Sequence, residues 1–568
     1  MSPTSRPSFL TGPTDPRLWN ITLGEMLKKQ ADTGPSRQCL VFPEFGQRST
    51  YMQLHKRSLA VSKGLIASGI RRGDNVGIFA GNSPPYVELL FASSHIGAAL
   101  VVFNCAYTSV ELKAAIEHSG MCCKIVFTAP TIGKLSNDLA LDMIADEISA
   151  HSFSELEEII MLRPVASRTF SSYEDFISRG KSIPDSILQA RRRAVSPDDV
   201  CNLQFTSGTT GNPKAAMLTH NNIINDGRFV GDRMRLKSSD IICCPPPLFH
   251  CFGLVLGLLA ALTHGSSIVF PSETFNAAAT LQAVVMERCT ALHGVPAMFS
   301  ALLELLEPNM DFSKLRTGIA AGAPVPRKMM VDLQETLNLR EITNTYGMTE
   351  TSPASFMTFT DDPVEKRLST VGKILPHMKA KIVDAKGEIL PIGCRGELCV
   401  AGFALQKGYW RNPEKTAESM ITDDDGIRWM HTGDEAVFDE GGYCRITGRI
   451  KDIIIRGGEN IFPLEIEERL VQHPSIVQAS VVGIADNKYG EIVCAFLQHR
   501  SEKKRPSLKE LREFVRLTLG WHKAPMHVFW LAEGEDFPKT GSGKIKKHDL
   551  KVQGEQRAKL ERLAKSKL

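Results

Sequence analysis

At 568 residues, with 43% hydrophobic and 23% charged positions, the chain exceeds a single core, so several domains are expected. A net charge of +4 is too small to indicate a nucleic-acid partner. Thirteen scattered cysteines without a Cys-x-x-Cys pair indicate neither a zinc site nor a disulfide framework, and they fit a reducing compartment.

Residues 1–16 are polar and proline-rich and lack the apolar core of a secretory signal. Helical spacing at 23–30 and 52–68 alternates with apolar runs at 75–80 and 100–103 that predict buried strands. A helix over Ser109–His118 and a strand at 124–127 follow, and this alternation predicts a parallel α/β arrangement. Residues 136–199 are mostly polar and read as irregular, with Arg191-Arg192-Arg193 assigned to a solvated face.

Residues 200–205 alternate apolar and polar as a half-buried strand does, and 215–218 predict a second short strand. Between them lies Thr206-Ser207-Gly208-Thr209-Thr210-Gly211-Asn212-Pro213-Lys214. Its glycines let backbone N–H groups converge on an anion, its hydroxyls add donors and a metal contact at Thr206, and Lys214 adds a compact charge. It fails the Walker pattern, because Asn212-Pro213 separate Gly211 from Lys214 and Ala215 follows. Taken alone it fits a phosphate grip or an ordinary polar turn.

A strand from residue 240 must stop at Pro245-Pro246-Pro247, which delivers Phe249 and His250 to a loop edge. Residues 251–262 are the most apolar run, too short for a membrane span, so a buried helix is predicted. His250 at this edge suits a ligand contact or a structural role. The small residues of 318–324, Gly322 and Ala323 among them, allow close approach of a ligand or simply tight packing. In Asn344-Thr345-Tyr346-Gly347-Met348-Thr349-Glu350, Tyr346 offers a face to an adenine ring and Glu350 a carboxylate for Mg²⁺. A capped turn leading into a helix fits the same stretch.

Residues 371–443 are glycine-punctuated short strands, an antiparallel β region. Within them His431-Thr432-Gly433-Asp434 places a carboxylate after a glycine turn, suited to ribose hydroxyls or to an Asx turn. A domain boundary is expected where Gly448-Arg449-Ile450-Lys451-Asp452 gives way to an apolar strand and the Gly457-Gly458-Glu459 turn. Helices at 463–473 and 508–518 and strands at 477–484 and 491–499 predict a small α+β domain. It ends on the glycine-rich loop 537–545, which carries Lys544 and again fails the Walker test at Ile545. Residues 551–565 predict an exposed charged helix or tail that presents Ser566-Lys567-Leu568, the peroxisomal address read by an import receptor.

Five stretches in this order, Thr206–Lys214, Asn344–Thr351, Thr432–Asp434, Gly448–Asn460 and Pro538–Lys544, resemble the adenylate-forming superfamily. The run from Gly448 to Glu467 is especially similar to medium-chain acyl-CoA synthetases. The resemblance implies a large N-terminal domain (1–450) of α/β subdomains plus a β-rich region, a hinge at Lys451, a small mobile α+β domain (452–550) and a basic tail (551–568). It implies a ligase that joins a small-molecule carboxylic acid to coenzyme A through an acyl-adenylate, with ATP and Mg²⁺. By match, Thr206–Lys214 grips phosphates, and Asn344, Thr345, Tyr346, Gly347 and Thr349 surround the nucleotide. Glu350 and Thr206 serve Mg²⁺, and Asp434 and Arg449 meet the ribose. Lys544 bridges carboxylate and α-phosphate. Gly457, Gly458 and Glu459 line the coenzyme A path, and Phe249, His250, Gly322 and Ala323 line the acyl pocket, with His250 as its gate.

Ala215 departs from the family, which commonly has glycine there. No acid occurs in residues 247–250, which argues against an α-amino acid substrate. A fatty or other apolar acid is expected. The alternatives are a specialised acid of secondary metabolism (toxin, siderophore or polyketide-type) and an inactive nucleotide-binding scaffold. None of these motifs encodes an oligomeric state.

Overall fold

The computed structural model describes residues 6–118, 123–149, 156–164, 170–206, 214–322, 325–486, 488–540 and 544–565. The chain forms two compact units. The larger comprises Leu10–Ala380 and Val400–Met430; the smaller comprises Met1–Phe9, Lys381–Cys399 and His431–Leu568.

In the larger unit, the apolar runs 75–80, 100–103 and 124–127 become the buried strands Asn75–Phe79, Ala99–Val102 and Cys123–Thr128, mutually parallel. Val200–Thr206 joins Ala99–Val102 in parallel, and Lys214–Thr219 closes this sheet's edge as its antiparallel neighbour. Helices cover such a sheet because its strands are apolar on both faces. Pro84–Ile96 is one, packed on Ala99–Val102, and Tyr51–Ala67, started by a Thr50–Gln53 capping box, packs on it in turn. A second sheet runs in the order Lys373–Ile374, Ala354–Met357, Glu341–Gly347, Thr317–Ala321, Ala291–Gly294, Ile241–Cys243, Ser267–Val269, Gln38–Phe42, Gln47–Thr50. Its central strands are parallel and its edges antiparallel.

The predicted buried helix at 251–262 is present with altered winding. Phe252–Leu259 is a π-helix that continues as the α-helix Ala260–Thr263. Gly253 and Gly257 lie on its close-packed side. A Cβ at Gly253 would stand 2.3 Å from the Pro247 carbonyl oxygen, and one at Gly257 2.5 Å from Cys244 Sγ.

The irregular reading of 136–199 is overturned. Helices Asp138–Ser149, Tyr173–Arg179 and Asp185–Arg193 and the strand Glu158–Met161 occupy much of it. The first two helices bury apolar residues at helical spacing, Leu141 with Ile144 and Tyr173 with Phe176, and Asp185–Arg193 buries Leu188 alone among polar and charged neighbours.

The smaller unit holds Ile476–Asp486 and Gly490–His499 as a long antiparallel pair, with His527–Trp530 as an unforeseen parallel neighbour. Helices Pro463–Val471 and Leu508–Arg516 contribute Ile466, Leu470, Leu511 and Val515 to its core. The helix Lys547–Lys565 ends the described chain; Ser566, Lys567 and Leu568 lie outside the described residues.

Candidate active site

The predicted phosphate loop is the connection of a β-hairpin. Val200–Thr206 and Lys214–Thr219 pair with Thr206 opposite Lys214, so the two polar ends meet at the mouth of the loop. Ser207, Gly208, Thr209, Thr210, Gly211, Asn212 and Pro213 lie outside the described residues. Ala215 is buried in the strand opposite Phe205, without the left-handed backbone that would demand glycine.

A distant segment is laced to this hairpin. Met217 N–H donates to the Gly408 carbonyl (3.0 Å), Lys407 N–H to Met217 (2.9 Å) and Trp410 N–H to Ala215 (2.8 Å). The lacing sets the Tyr409 ring beneath Lys214, whose ammonium lies 5.0 Å from the ring centroid. The Tyr409 hydroxyl donates to Glu350 Oε1 at 2.8 Å. Gln406 N–H binds the Glu350 carbonyl at 2.9 Å. Glu350 is only 6% exposed, a carboxylate held by fixed partners. Tyr409 and Gln406 were invisible to motif reading. Only the Gly408-Tyr409 pair hinted at a turn, and nothing in it named Glu350.

The second sheet brings other candidates to the carboxyl ends of its parallel strands, where open α/β sheets bind ligands. Thr317–Ala321 and Glu341–Gly347 pair with Ala320 opposite Asn344 and Ala321 opposite Thr345, so Gly322 and Tyr346 emerge at the same edge. Gly322 has φ +86°, a left-handed backbone natural to glycine. Ala323 lies outside the described residues. Gly347 permits close approach, since a Cβ would stand 1.7 Å from the Pro353 carbonyl oxygen. Asn344 Nδ2 donates to the Thr370 carbonyl at 3.1 Å, which anchors the strand, and Thr345 Oγ1 is buried without a partner. The expected turn-to-helix after Gly347 is the short 3₁₀ turn Thr349–Thr351. Thr349 Oγ1 lies 3.7 Å from Cys251 Sγ, beside the loop that carries Phe249 and His250. His250 Nδ1 accepts the Phe252 N–H at 3.1 Å, so in the neutral ring the proton resides on Nε2. Burial lowers His293 to about 4, and its Nε2–H donates to the Leu256 carbonyl of the π-helix.

In the smaller unit, Asp434 stands opposite Arg449 across the strands Arg428–Phe438 and Cys444–Arg449. Arg449 Nε lies 3.1 Å from Asp434 Oδ1. The expected glycine turn before Asp434 is a glycine within a strand: Gly433 takes φ +69° in the middle of Arg428–Phe438. Strand pairing prevailed because side chains hold this stretch. Glu397 Oε1 accepts the Gly433 N–H (3.1 Å), its Oε2 meets His431 Nδ1 (2.9 Å), and Thr432 Oγ1 donates to the Leu398 carbonyl (2.7 Å). Among the described residues, Glu397, Cys399 and His431 are a cluster with metal-ligand chemistry, but these hydrogen bonds already satisfy it as a strand clamp.

Lys451 lies exposed in the 3₁₀ turn Ile450–Asp452. Gly457 and Gly458 take φ +60° and +88° in the hairpin between Ile454–Arg456 and Glu459–Ile461, and Glu459 is exposed beside them. Lys544 is half-buried at the base of a closed loop, where Thr540 N–H donates to the Lys544 carbonyl (2.7 Å) and Lys544 N–H to Thr540 Oγ1 (3.1 Å).

Residues 27–410 match the AMP-binding enzyme family, and residues 465–544 match the AMP-binding enzyme C-terminal domain. The chain belongs to the AMP-binding enzyme family. It is 56% identical to acyl-CoA ligase sidI of Aspergillus fumigatus over 550 residues, 96% of this chain and 93% of that one. It is 35% identical to the mitochondrial medium-chain acyl-CoA ligase ACSF2 of Mus musculus, over 97% of this chain and 91% of that one. Among solved structures it resembles ATP-bound MatB from Rhodopseudomonas palustris, with a TM-score of 0.77, 26% identity, and 94% of this chain and 99% of that one covered. This member of the family is an AMP-forming acyl-CoA ligase that uses ATP and coenzyme A.

Proposed function

We propose that the enzyme activates an acid with a largely apolar acyl chain, and that the residues above divide two half-reactions between them. In the first, the substrate carboxylate attacks the α-phosphate of ATP and pyrophosphate leaves. Anions converge in this step, so oriented cations and donors supply most of the catalysis. Lys214 and the Thr206–Lys214 loop bind phosphate oxygens, Asp434 and Arg449 orient the ribose, Tyr346 packs on adenine, and Lys544 bridges carboxylate and α-phosphate. The oxygen donors Glu350 and Thr206 suit Mg²⁺, which would neutralise phosphate charge. Rotation about Lys451 then exchanges Lys544 for Gly457-Gly458-Glu459. In the second half-reaction the coenzyme A thiol gives up its proton to solvent and attacks the acyl carbonyl of the adenylate, and AMP leaves.

The observation that carries the reading is the Lys214–Tyr409–Glu350 array, which holds a cation and a carboxylate at fixed places beside the phosphate loop. The apolar character of the acid rests on the buried Phe249 and π-helix and on the absence of an acid in residues 247–250. A specialised acid of secondary metabolism is the second reading. It is favoured by the higher identity to acyl-CoA ligase sidI (56%) than to the medium-chain ligase (35%).

A screen of coenzyme-A-dependent AMP release across carboxylic acids decides between them. Best turnover with unsubstituted fatty acids supports the first reading, and turnover confined to acids bearing polar substituents supports the second. Ser566-Lys567-Leu568 directs the enzyme to peroxisomes. A fluorescent fusion lacking these residues is expected to stay outside peroxisomes, and unchanged import would refute the assignment.

A further inference from the structure

Tyr409 lies outside every motif used so far, yet it touches two of the charged groups on which the reaction depends. Its ring lies under the Lys214 ammonium, and its hydroxyl donates to Glu350 Oε1. The residues it joins are far apart in the chain: Tyr409 and Glu350 are separated by 59 positions. Lys214 is still more distant from both. The joining segment is held by its own backbone bonds to the hairpin strand and by the Gln406–Glu350 bond. Tyr409 is buried, so its contact with Glu350 is shielded from solvent.

A buried carboxylate that accepts one fixed donor has one oxygen assigned and the other set in direction. A lysine on an aromatic face loses much of its swing. We infer that Tyr409 is a positioning residue for adenylation: it turns Glu350 so that Oε2 meets the divalent cation, and it holds Lys214 over the phosphates. The inference rests on the reading of Glu350 as the cation ligand. It adds that the carboxylate and the loop lysine are set by one side chain, so the cation and phosphate sites are mechanically linked.

The test uses full-length enzyme with a non-hydrolysable ATP analogue and Mn²⁺ as a spectroscopic probe. Tyr409→Phe keeps the ring and removes the donor; Tyr409→Leu removes both; Glu350→Gln serves as the control. Electron paramagnetic resonance gives the Mn²⁺ affinity, and ATP–pyrophosphate exchange gives KM for ATP separately from kcat. Tyr409→Phe is expected to weaken Mn²⁺ binding about tenfold, the scale of a hydrogen bond to a charged group, with KM for ATP nearly unchanged. Tyr409→Leu is expected to raise KM for ATP as well. Wild-type Mn²⁺ affinity in Tyr409→Phe, with affinity lost in Glu350→Gln, would overturn the inference and leave Tyr409 as packing. Wild-type affinity in Glu350→Gln would instead refute the assignment of Glu350. Tyr409→Phe removes one oxygen atom and keeps the ring's packing, so the test stands even where Tyr409→Leu fails to fold.

Discussion

At the scale of single residues, the site is built from charges that are already engaged. Asp434 is 7% exposed and its partner Arg449 has a side chain 49% exposed, so the carboxylate is the fixed member and the guanidinium the mobile one. The hydroxyls of a ribose placed here would donate to a carboxylate pre-oriented by strand pairing and by the Glu397 clamp. Asp434→Asn keeps the shape and removes the charge. KM for ATP is expected to rise about tenfold while the melting temperature changes little, because the exposed partner is screened by solvent. Steady-state kinetics at varied ATP checks this, and an unchanged KM would remove Asp434 from the nucleotide site. Lys544, Asp434 and Glu350 can be proposed as site residues from the sequence because each stands in a short motif whose neighbours are unusual together. Tyr409 was not, because its importance comes from a contact across 59 positions, and no local pattern encodes that.

At the scale of elements, the legible pieces were those with a strong period. The alternation of 200–205 gave the strand that carries Thr206, and the continuous apolar runs gave the parallel sheet. The helices within 136–199 were missed because their few buried residues, such as Leu141 with Ile144 or Leu188 alone, are diluted by charge. The π-helix Phe252–Leu259 was legible as a buried helix, while its winding comes from packing. Gly253 sits against the Pro247 carbonyl, and no sequence period announces that contact. Gly253→Ala forces backbone apart at this point, since the added Cβ would stand 2.3 Å from a carbonyl oxygen. A loss of about 1–3 kcal/mol is expected, with a higher KM for the acid because the shift is transmitted to Phe249 and His250. Chemical denaturation and acid-dependent kinetics measure both. Wild-type stability would show that the helix end is free to move.

At the scale of the whole molecule, the chain carries a built-in acid sensitivity. His55, His220 and His293 are buried, and desolvation lowers each from 6.5 to about 4. Between these values the unfolded chain binds protons that the folded chain refuses, so stability is full above about pH 6.5 and falls as pH drops toward 4. The melting temperature at pH 5 is expected to lie below that at pH 7.5 by roughly 5 °C or more, and equal values would mean that these histidines titrate normally in the fold. The order of motifs along the whole chain made the family legible before any coordinates. The grouping of 381–399 and 431–450 with the C-terminal residues was not, because contacts between segments far apart in the chain, which a linear reading does not contain, decide it.

The proposed division of labour assigns Lys544 to adenylation alone. Lys544→Ala, assayed separately for ATP–pyrophosphate exchange and for thioester formation from supplied acyl-adenylate and coenzyme A, tests it most directly. Exchange is expected to fall by at least about a hundredfold while thioester formation stays within a few-fold of wild type. Equal loss of both half-reactions would contradict it.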